Sequence, residues 1–119
     1  MRARDIMTTE VITIAPDARI YELTRLLSEN GISGVPVCDG EDRVVGIVSE
    51  GDLLCLTNGH RVRDIMTREV ISVDVDDPVE MVAAVLHEKG IKRVPVYNKG
   101  RLVGIITRAD IVAAMARGL

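Results

Sequence analysis

The chain has 119 residues, of which 47% are hydrophobic and 28% charged, a balance that suits one compact globular module and argues against disorder. Its formal charge is -3, with a pI near 5.3. A general nucleic-acid binder needs a surplus of Lys and Arg on some face, so this charge argues against one. No stretch approaches the roughly 20 apolar residues needed to cross a bilayer. The opening Met1 to Asp5 runs into a mixed segment rather than an apolar leader, and a cytoplasmic location without membrane contact is expected.

Taken in chain order, the first feature is a short lead-in, Asp5-Ile6-Met7-Thr8, followed by a brief strand expected at Val11 to Ile14. A helix comes next. Ile20, Leu23, Leu26 and Leu27 recur at helical spacing, and Gly31 stands where a left-handed cap is wanted, followed by apolar Ile32. Two strands are expected near Val35 to Cys38 and Val44 to Val48, joined by the turn residues Asp39-Gly40-Glu41-Asp42. A second helix is expected from about Glu50 onward.

The plan then starts again. Asp5-Ile6-Met7-Thr8 returns as Asp64-Ile65-Met66-Thr67, and Glu10-Val11-Ile12 returns as Glu69-Val70-Ile71. In the same register Gly31-Ile32 matches Gly90-Ile91, and Val35-Pro36-Val37 matches Val94-Pro95-Val96. One residue is lost at the turn, where Asn98-Lys99-Gly100 replaces the longer connection. Gly46-Ile47-Val48-Ser49 through Asp52 then pairs with Gly104-Ile105-Ile106-Thr107 through Asp110. The helix of the second copy shows Asp77 as N-cap, Pro78 in the first helical position and Glu80 in the first turn, with Val79, Val82, Ala83 and Leu86 as its apolar face. Strand, helix, strand, strand, helix, twice over, is an α/β (α+β) plan. Neither half has enough apolar surface to close a core alone, so the halves are expected to pack about a pseudo-twofold axis.

Each copy carries one polar constellation where a short apolar strand runs straight into a helix. A helix start presents unpaired N–H groups and partial positive charge, which suit a phosphate, and a Ser or Thr hydroxyl there can donate to it. Asp52 and Asp110, three residues after Ser49 and Thr107, can accept from both hydroxyls of a ribose. The same Ser/Thr-x-x-Asp spacing also describes a capping box, in which hydroxyl and carboxylate only tie off the helix. Isolated, the capping role is the commoner one.

The DIMT lead-ins, the GISGVPV and GIKRVPV segments and the terminal GIVSEGDLL and GIITRADIV segments resemble a tandem pair of cystathionine-beta-synthase (CBS) domains over nearly the whole chain. The resemblance implies CBS motifs at 1–58 and 59–119 forming one pair module without an attached effector domain. It also implies clefts for AMP, ADP, ATP, NAD or S-adenosylmethionine, and a homodimer. Carried over residue by residue, nucleotide-binding cleft A would draw on Met7, Ile12, Ile32, Ser33 and Pro36 with Ile105, Thr107, Arg108 and Asp110. Cleft B would draw on Met66, Ile71, Ile91, Lys92, Arg93 and Pro95 with Ile47, Ser49 and Asp52. The apolar members are equally core residues when taken singly. With no Trp or Phe and only Tyr21 and Tyr97, the base would be held by aliphatic walls.

The two clefts differ in charge. Cleft B has Lys92 and Arg93 where cleft A has Ser33 and Gly34, whereas cleft A has Arg108 beside Thr107 where cleft B has Glu50. Paired cations can clamp a phosphate, whereas an anion in that place repels a long phosphate chain. Other polar groups carry less. His60, Arg61 and Arg63 read as a solvated connection, and His87 lies on a polar helix face. Cys38 and Cys55 fit neither a disulfide framework nor a metal motif and read as small buried residues. No zinc spacing, phosphate loop or dinucleotide fingerprint is present, and no nucleophile stands with a base, so neither a metal site nor catalysis is expected and no cofactor is required. The expected function is a regulatory adenine-nucleotide sensor that signals to a protein partner. The alternative is a ligand-independent oligomerisation or docking module.

Overall fold

The structure is a computed structural model that describes residues 1–54 and 60–118. Cys55 lies outside the described residues, as does the boundary expected between 58 and 59. The elements run in chain order as α1 (Ala3–Ile6), α2 (Ile20–Asn30), β1 (Gly34–Cys38), β2 (Val44–Ser49), α3 (Glu50–Leu54), α4 (Val62–Ile65), β3 (Val73–Asp74), α5 (Val79–Lys89), β4 (Arg93–Asn98), β5 (Arg101–Thr107) and α6 (Arg108–Ala116). This is the mixed α+β architecture expected from the repeat.

The chain folds into two compact units whose boundaries cut across the sequence copies. One unit joins Met1–Val11 to Ile71–Leu119, and the other is Ile12–Val70. Each lead-in therefore packs with the body of the other copy. The apolar residues of the lead-ins explain the exchange: Ala3 and Ile6 of α1 enter the core of the first unit beside Val82, Val94 and Ile106. Val62 of α4 enters the core of the second beside Leu23, Val37 and Val48. Full burial of a side chain such as Val62 is worth roughly 1.5–3 kcal/mol, enough to hold a one-turn helix that could not persist alone.

Exchanged ion pairs repeat the pattern at the surface. Arg4 donates to Asp76 at 2.5 Å in the first unit, and Arg63 pairs with Asp17 in the second. The same lead-in arginines and loop aspartates occupy corresponding places in the two copies.

In the second unit β1 and β2 form an antiparallel hairpin, with Pro36 opposite Ile47 and Gly34 opposite Ser49. In the first unit β4 and β5 pair the same way, with Pro95 opposite Ile105 and Arg93 opposite Thr107. The short strand β3 adds to β4 in parallel. The brief strand expected at Val11 to Ile14 is shorter than the apolar run suggests. Only Ile14 bridges Val37, and the second copy supplies just Val73 and Asp74. A strand needs a partner for its backbone groups, and the chain reaches the hairpin only at the end of that run.

The helices bear out the apolar faces and the glycine C-caps. Leu23 and Leu27 are buried on α2, as are Val79, Val82 and Leu86 on α5. Gly31 and Gly90 end these helices in the left-handed conformation, at φ 61 and φ 63. The start of α5 differs by one place from the expectation: Pro78 is the N-cap and Val79 the first helical residue. Asp77 is used one turn earlier, accepting from the Asp74 N–H at 2.8 Å. The shorter second turn consists of Lys99 and Gly100, both at positive φ. Among the described residues no helix is long and apolar enough to cross a membrane.

Candidate functional site

The strand-to-helix corner of the first unit runs from β5 into α6. The Thr107 N–H donates to Asp110 Oδ2 at 2.8 Å, and the Thr107 hydroxyl donates to the same oxygen at 3.1 Å. The Asp110 N–H in turn donates to Thr107 Oγ1 at 3.3 Å. The capping box is therefore formed. Its bonds use only one carboxylate oxygen, so Oδ1 carries no hydrogen bond among the described residues and retains its accepting capacity.

The corner of the second unit, between β2 and α3, repeats the two bonds to the carboxylate. The Ser49 N–H and hydroxyl donate to Asp52 Oδ2 at 2.8 and 3.3 Å. Both corners are half-buried, so each carboxylate is anchored through one oxygen while its site stays open to water. Capping and ligand recognition are compatible uses of the same aspartate.

The lead-ins supply the edge of each corner. Thr8 and Ile105 exchange backbone hydrogen bonds at 2.9 and 3.0 Å. Thr67 and Ile47 do the same at 2.8 and 2.9 Å. Met7 lies on Gly104 and Met66 on Gly46. Sequence reasoning missed these two glycines; their signal was a glycine at the same place before both Ser/Thr-x-x-Asp turns.

The segment preceding the hairpin closes each corner. The Arg108 N–H donates to the Lys92 carbonyl at 3.1 Å, and the Glu50 N–H donates to the Ser33 carbonyl at 2.9 Å. The Arg108 side chain folds back, with Nε donating to the Ile91 carbonyl at 3.0 Å. Arg93, read from the sequence as a strand-edge cation, is 8% exposed. It is the first residue of β4 and pairs with Thr107, the last residue of β5.

The residues assigned to each cleft divide over both units. Met7, Ile105, Thr107, Arg108 and Asp110 of cleft A lie in the first unit, and Ile12, Ile32, Ser33 and Pro36 in the second. For cleft B, Ile71, Ile91, Lys92, Arg93 and Pro95 lie in the first unit, and Ile47, Ser49, Asp52 and Met66 in the second. Within a unit, members of the two lists meet directly, as Pro95 does with Ile105 and Pro36 with Ile47. Ile12, Ile32 and Met66 pack on the second core, and Met7 and Ile91 on the first. Apolar residues here serve the core whether or not they also face a ligand.

A groove of about 280 Å³ in the first unit is lined by Ala83, Leu86, His87, Arg108, Ile111 and Val112. His87 is exposed there. Cys38 is free and half-buried rather than fully enclosed, and burial, ahead of the charges of Asp42 and Asp39, pushes its thiol above the ordinary range. No cluster of His, Cys, Asp or Glu that could hold a metal ion occurs among the described residues.

Two α+β units, each with a hairpin running into a capped helix and an edge lent by the other copy's lead-in, define a duplicated module. The chain belongs to the CBS domain family, whose pattern matches residues 3–57 and 62–117. It is 30% identical to the CBS domain pair of protein MJ0100, solved in complex with 5′-methylthioadenosine and S-adenosyl-L-methionine, with a TM-score of 0.93 over 100% of this chain and 98% of that one. It is 32% identical to CBSX2, solved in complex with AMP, with a TM-score of 0.91 over 98% and 96% of the two chains. Inosine-5′-monophosphate dehydrogenase of Thermoplasma acidophilum is 37% identical over 116 residues, a match spanning 93% of this chain and 23% of that enzyme. The chain thus spans less than a quarter of the length of that enzyme.

Proposed function

We propose that this chain is a regulatory module that binds an adenine nucleotide and passes the occupied state to a protein partner. The carrying observation is the duplicated corner, in which, among the described residues, Asp110 and Asp52 are each anchored through Oδ2 alone. The free oxygen of each is the acceptor we assign to a ribose diol, with Thr107 and Ser49 beside the phosphate. The first unit would contribute Met7, Ile71, Ile91, Lys92, Arg93, Pro95, Ile105 and Arg108. The second would contribute Ile12, Ile32, Ser33, Pro36, Ile47 and Met66. Complexes of similar CBS pairs with AMP and with S-adenosylmethionine support this ligand class. AMP, ADP, ATP, NAD and S-adenosylmethionine form the panel to test.

The reading treats motifs 1–58 and 59–119 as one sensing module in the cytoplasm, with binding rather than bond breaking as its activity. A ligand that binds only the folded state adds about 2.7 kcal/mol at 100 times its dissociation constant. For a chain of this size that raises Tm by several degrees. A melting series over the panel tests the proposal, and no rise with any member would leave it without support.

Docking is the second reading, and one observation favours it as a partner activity. Met81, Val112 and Met115 are exposed on α5 and α6 at 47%, 64% and 62%. Apolar residues clustered on helix faces commonly meet a partner, and we assign these to a homodimer. A monomeric mass by light scattering at high concentration would contradict that assignment.

A further inference from the structure

We propose that Arg19 and Arg61 form an anion clamp in the second unit, and that the group it takes is a phosphomonoester dianion. The clamp shares no residue with either strand-to-helix corner and does not depend on the nucleotide reading.

In the sequence Arg61 belongs to a solvated connection far from Arg19, yet the fold sets the two face to face as direct partners in an antiparallel bridge. The Ile20 N–H donates to the His60 carbonyl at 3.3 Å and the Val62 N–H to the Ala18 carbonyl at 2.9 Å. These bonds flank the pair and do not join it. A pair of that kind brings opposite Cα atoms to about 4.5 Å and turns both side chains to one face. Like charges directly opposite each other destabilise such a pair. The scaffold does not require the second cation. At the matching bridge of the first unit Arg2 stands opposite Pro78, and Arg2 is paired with Asp76 at 3.5 Å.

Neither arginine of the clamp is neutralised. Among the described residues neither forms an ion pair with an acid, and residues 55–59 hold no acidic side chain. The carboxylates beside them are engaged: Asp17 pairs with Arg63, and Asp64 accepts the His60 and Arg61 N–H groups at 3.1 and 2.9 Å. Arg61 is held by one bond, from Nη1 to the Asp17 carbonyl at 2.7 Å, which leaves Nε and Nη2 to donate. Arg19 is exposed and keeps its whole fork.

The occupant follows from the two forks. Each guanidinium presents parallel donors that take two oxygens. A carboxylate has two oxygens and one charge, so it satisfies one fork and leaves the other cation unmatched. A phosphomonoester has three terminal oxygens and a charge of about −1.5 to −2 at neutral pH, which lets it bridge both forks and cancel their repulsion. A nucleic acid carries one charge per phosphate along an extended chain, and the exposed carboxylates of Asp17, Glu22 and Asp64 oppose such a chain. Glu22 lies within the first turn after Arg19, its N–H donating to the Arg19 carbonyl at 3.0 Å. A compact dianion avoids that cost.

The test follows the arginine Nε–H resonances of the full chain by NMR during titration at constant ionic strength with inorganic phosphate, with a capped phosphoserine peptide and with acetate. Phosphate and the phosphopeptide should shift the Arg19 and Arg61 signals along a saturating curve. Acetate should bind about tenfold more weakly, since one fork stays unfilled. Arg19→Ala should weaken phosphate binding about tenfold, and Arg19→Lys should fall between it and the parent, because the charge survives without the fork. The Arg19 side chain makes no capping bond at the start of α2, so Arg19→Ala should fold, with a Tm in chloride equal to or above the parent's once the repulsion is gone. A phosphopeptide bound about tenfold more tightly than phosphate assigns the clamp to a phosphorylated partner protein, and equal binding assigns it to small phosphates. Arginine signals that stay in place, shifts confined to the Thr107 and Ser49 corners, acetate bound as tightly as phosphate, or undiminished phosphate binding by Arg19→Ala overturns the clamp.

Discussion

Met7 lies across Gly104 so closely that a β-carbon on that glycine would stand 2.5 Å from Met7 Sδ and 2.8 Å from its Cγ. The other lead-in repeats the contact, with a β-carbon on Gly46 meeting Met66 Sδ at 2.6 Å and the Thr67 carbonyl oxygen at 3.0 Å. Neither glycine is needed for its dihedral angles. Both are needed because the lead-ins lie directly over them, through the Met7 side chain at Gly104 and through the Met66 side chain and the Thr67 carbonyl at Gly46, with each lead-in fixed by the paired hydrogen bonds of Thr8 with Ile105 and of Thr67 with Ile47.

Gly104→Ala and Gly46→Ala should each cost about 1–3 kcal/mol, the range for forcing atoms into a filled space. Gly46→Ala should be the worse of the two, because the flexible thioether can swing aside but a paired backbone carbonyl cannot. Denaturant midpoints measured at unchanged slope would check this. A midpoint shift near zero for both would mean that the lead-ins do not hold their places in solution.

Asp110→Asn and Asp52→Asn separate the two uses of the corner. The amide oxygen of Asn can still accept from the Thr107 and Ser49 N–H groups, so each variant should lose no more than about 1 kcal/mol of stability. Nucleotide affinity should fall about tenfold or more, since charge-assisted bonds to a ribose diol become neutral ones. Paired melting and binding measurements on the same samples give both numbers. Unchanged affinity beside a lowered Tm would reduce these aspartates to caps.

Gly31→Ala tests a different requirement. No atom lies within 4 Å of where its β-carbon would stand, yet φ is +61. The penalty is therefore conformational alone, about 1 kcal/mol for placing an L side chain in the left-handed region. Gly90→Ala, at φ +63 in open space, should match it. Thermal melts of the two variants should shift together; a large difference between them would point to a contact that the structure does not contain.

Acid should weaken the fold through three aspartates. The Arg61 and His60 N–H groups hold Asp64 below its ordinary value of 3.8. The hydrogen bond from Arg4 does so for Asp76, and the Arg43 and Glu41 N–H groups do so for Asp39. A folded-state pKa below the unfolded one contributes stability that is complete above the unfolded value and is lost as pH falls through the folded value. Stability should thus hold down to about pH 4 and decline below it. Asp64→Asn should flatten that decline, as read from urea midpoints across the acid range. A slope identical to the parent's would show that Asp64 is not held low in solution.

The repeat and its punctuation were open to reading in the sequence because they are local. Leu23 and Leu27, or Val79, Val82 and Leu86, declare a helix by spacing, and Gly31 and Gly90 declare its end by the one conformation they tolerate. Ser49-x-x-Asp52 and Thr107-x-x-Asp110 mark a strand running into a helix, and bonds between residues three apart complete that corner without help from elsewhere. Long-range contacts were hidden. Nothing in the spacing of Ala3, Ile6 or Val62 says which copy's core will receive them. That choice depends on which unit offers a vacant apolar site at a distance the chain can span. The same tertiary choice placed Met7 on Gly104 and buried Arg93. Sequence by itself determined the parts and their order, since hydrogen bonding and apolar periodicity act over a few residues. Only the tertiary structure decided which parts share a unit, since burial is settled by partners far apart in the chain.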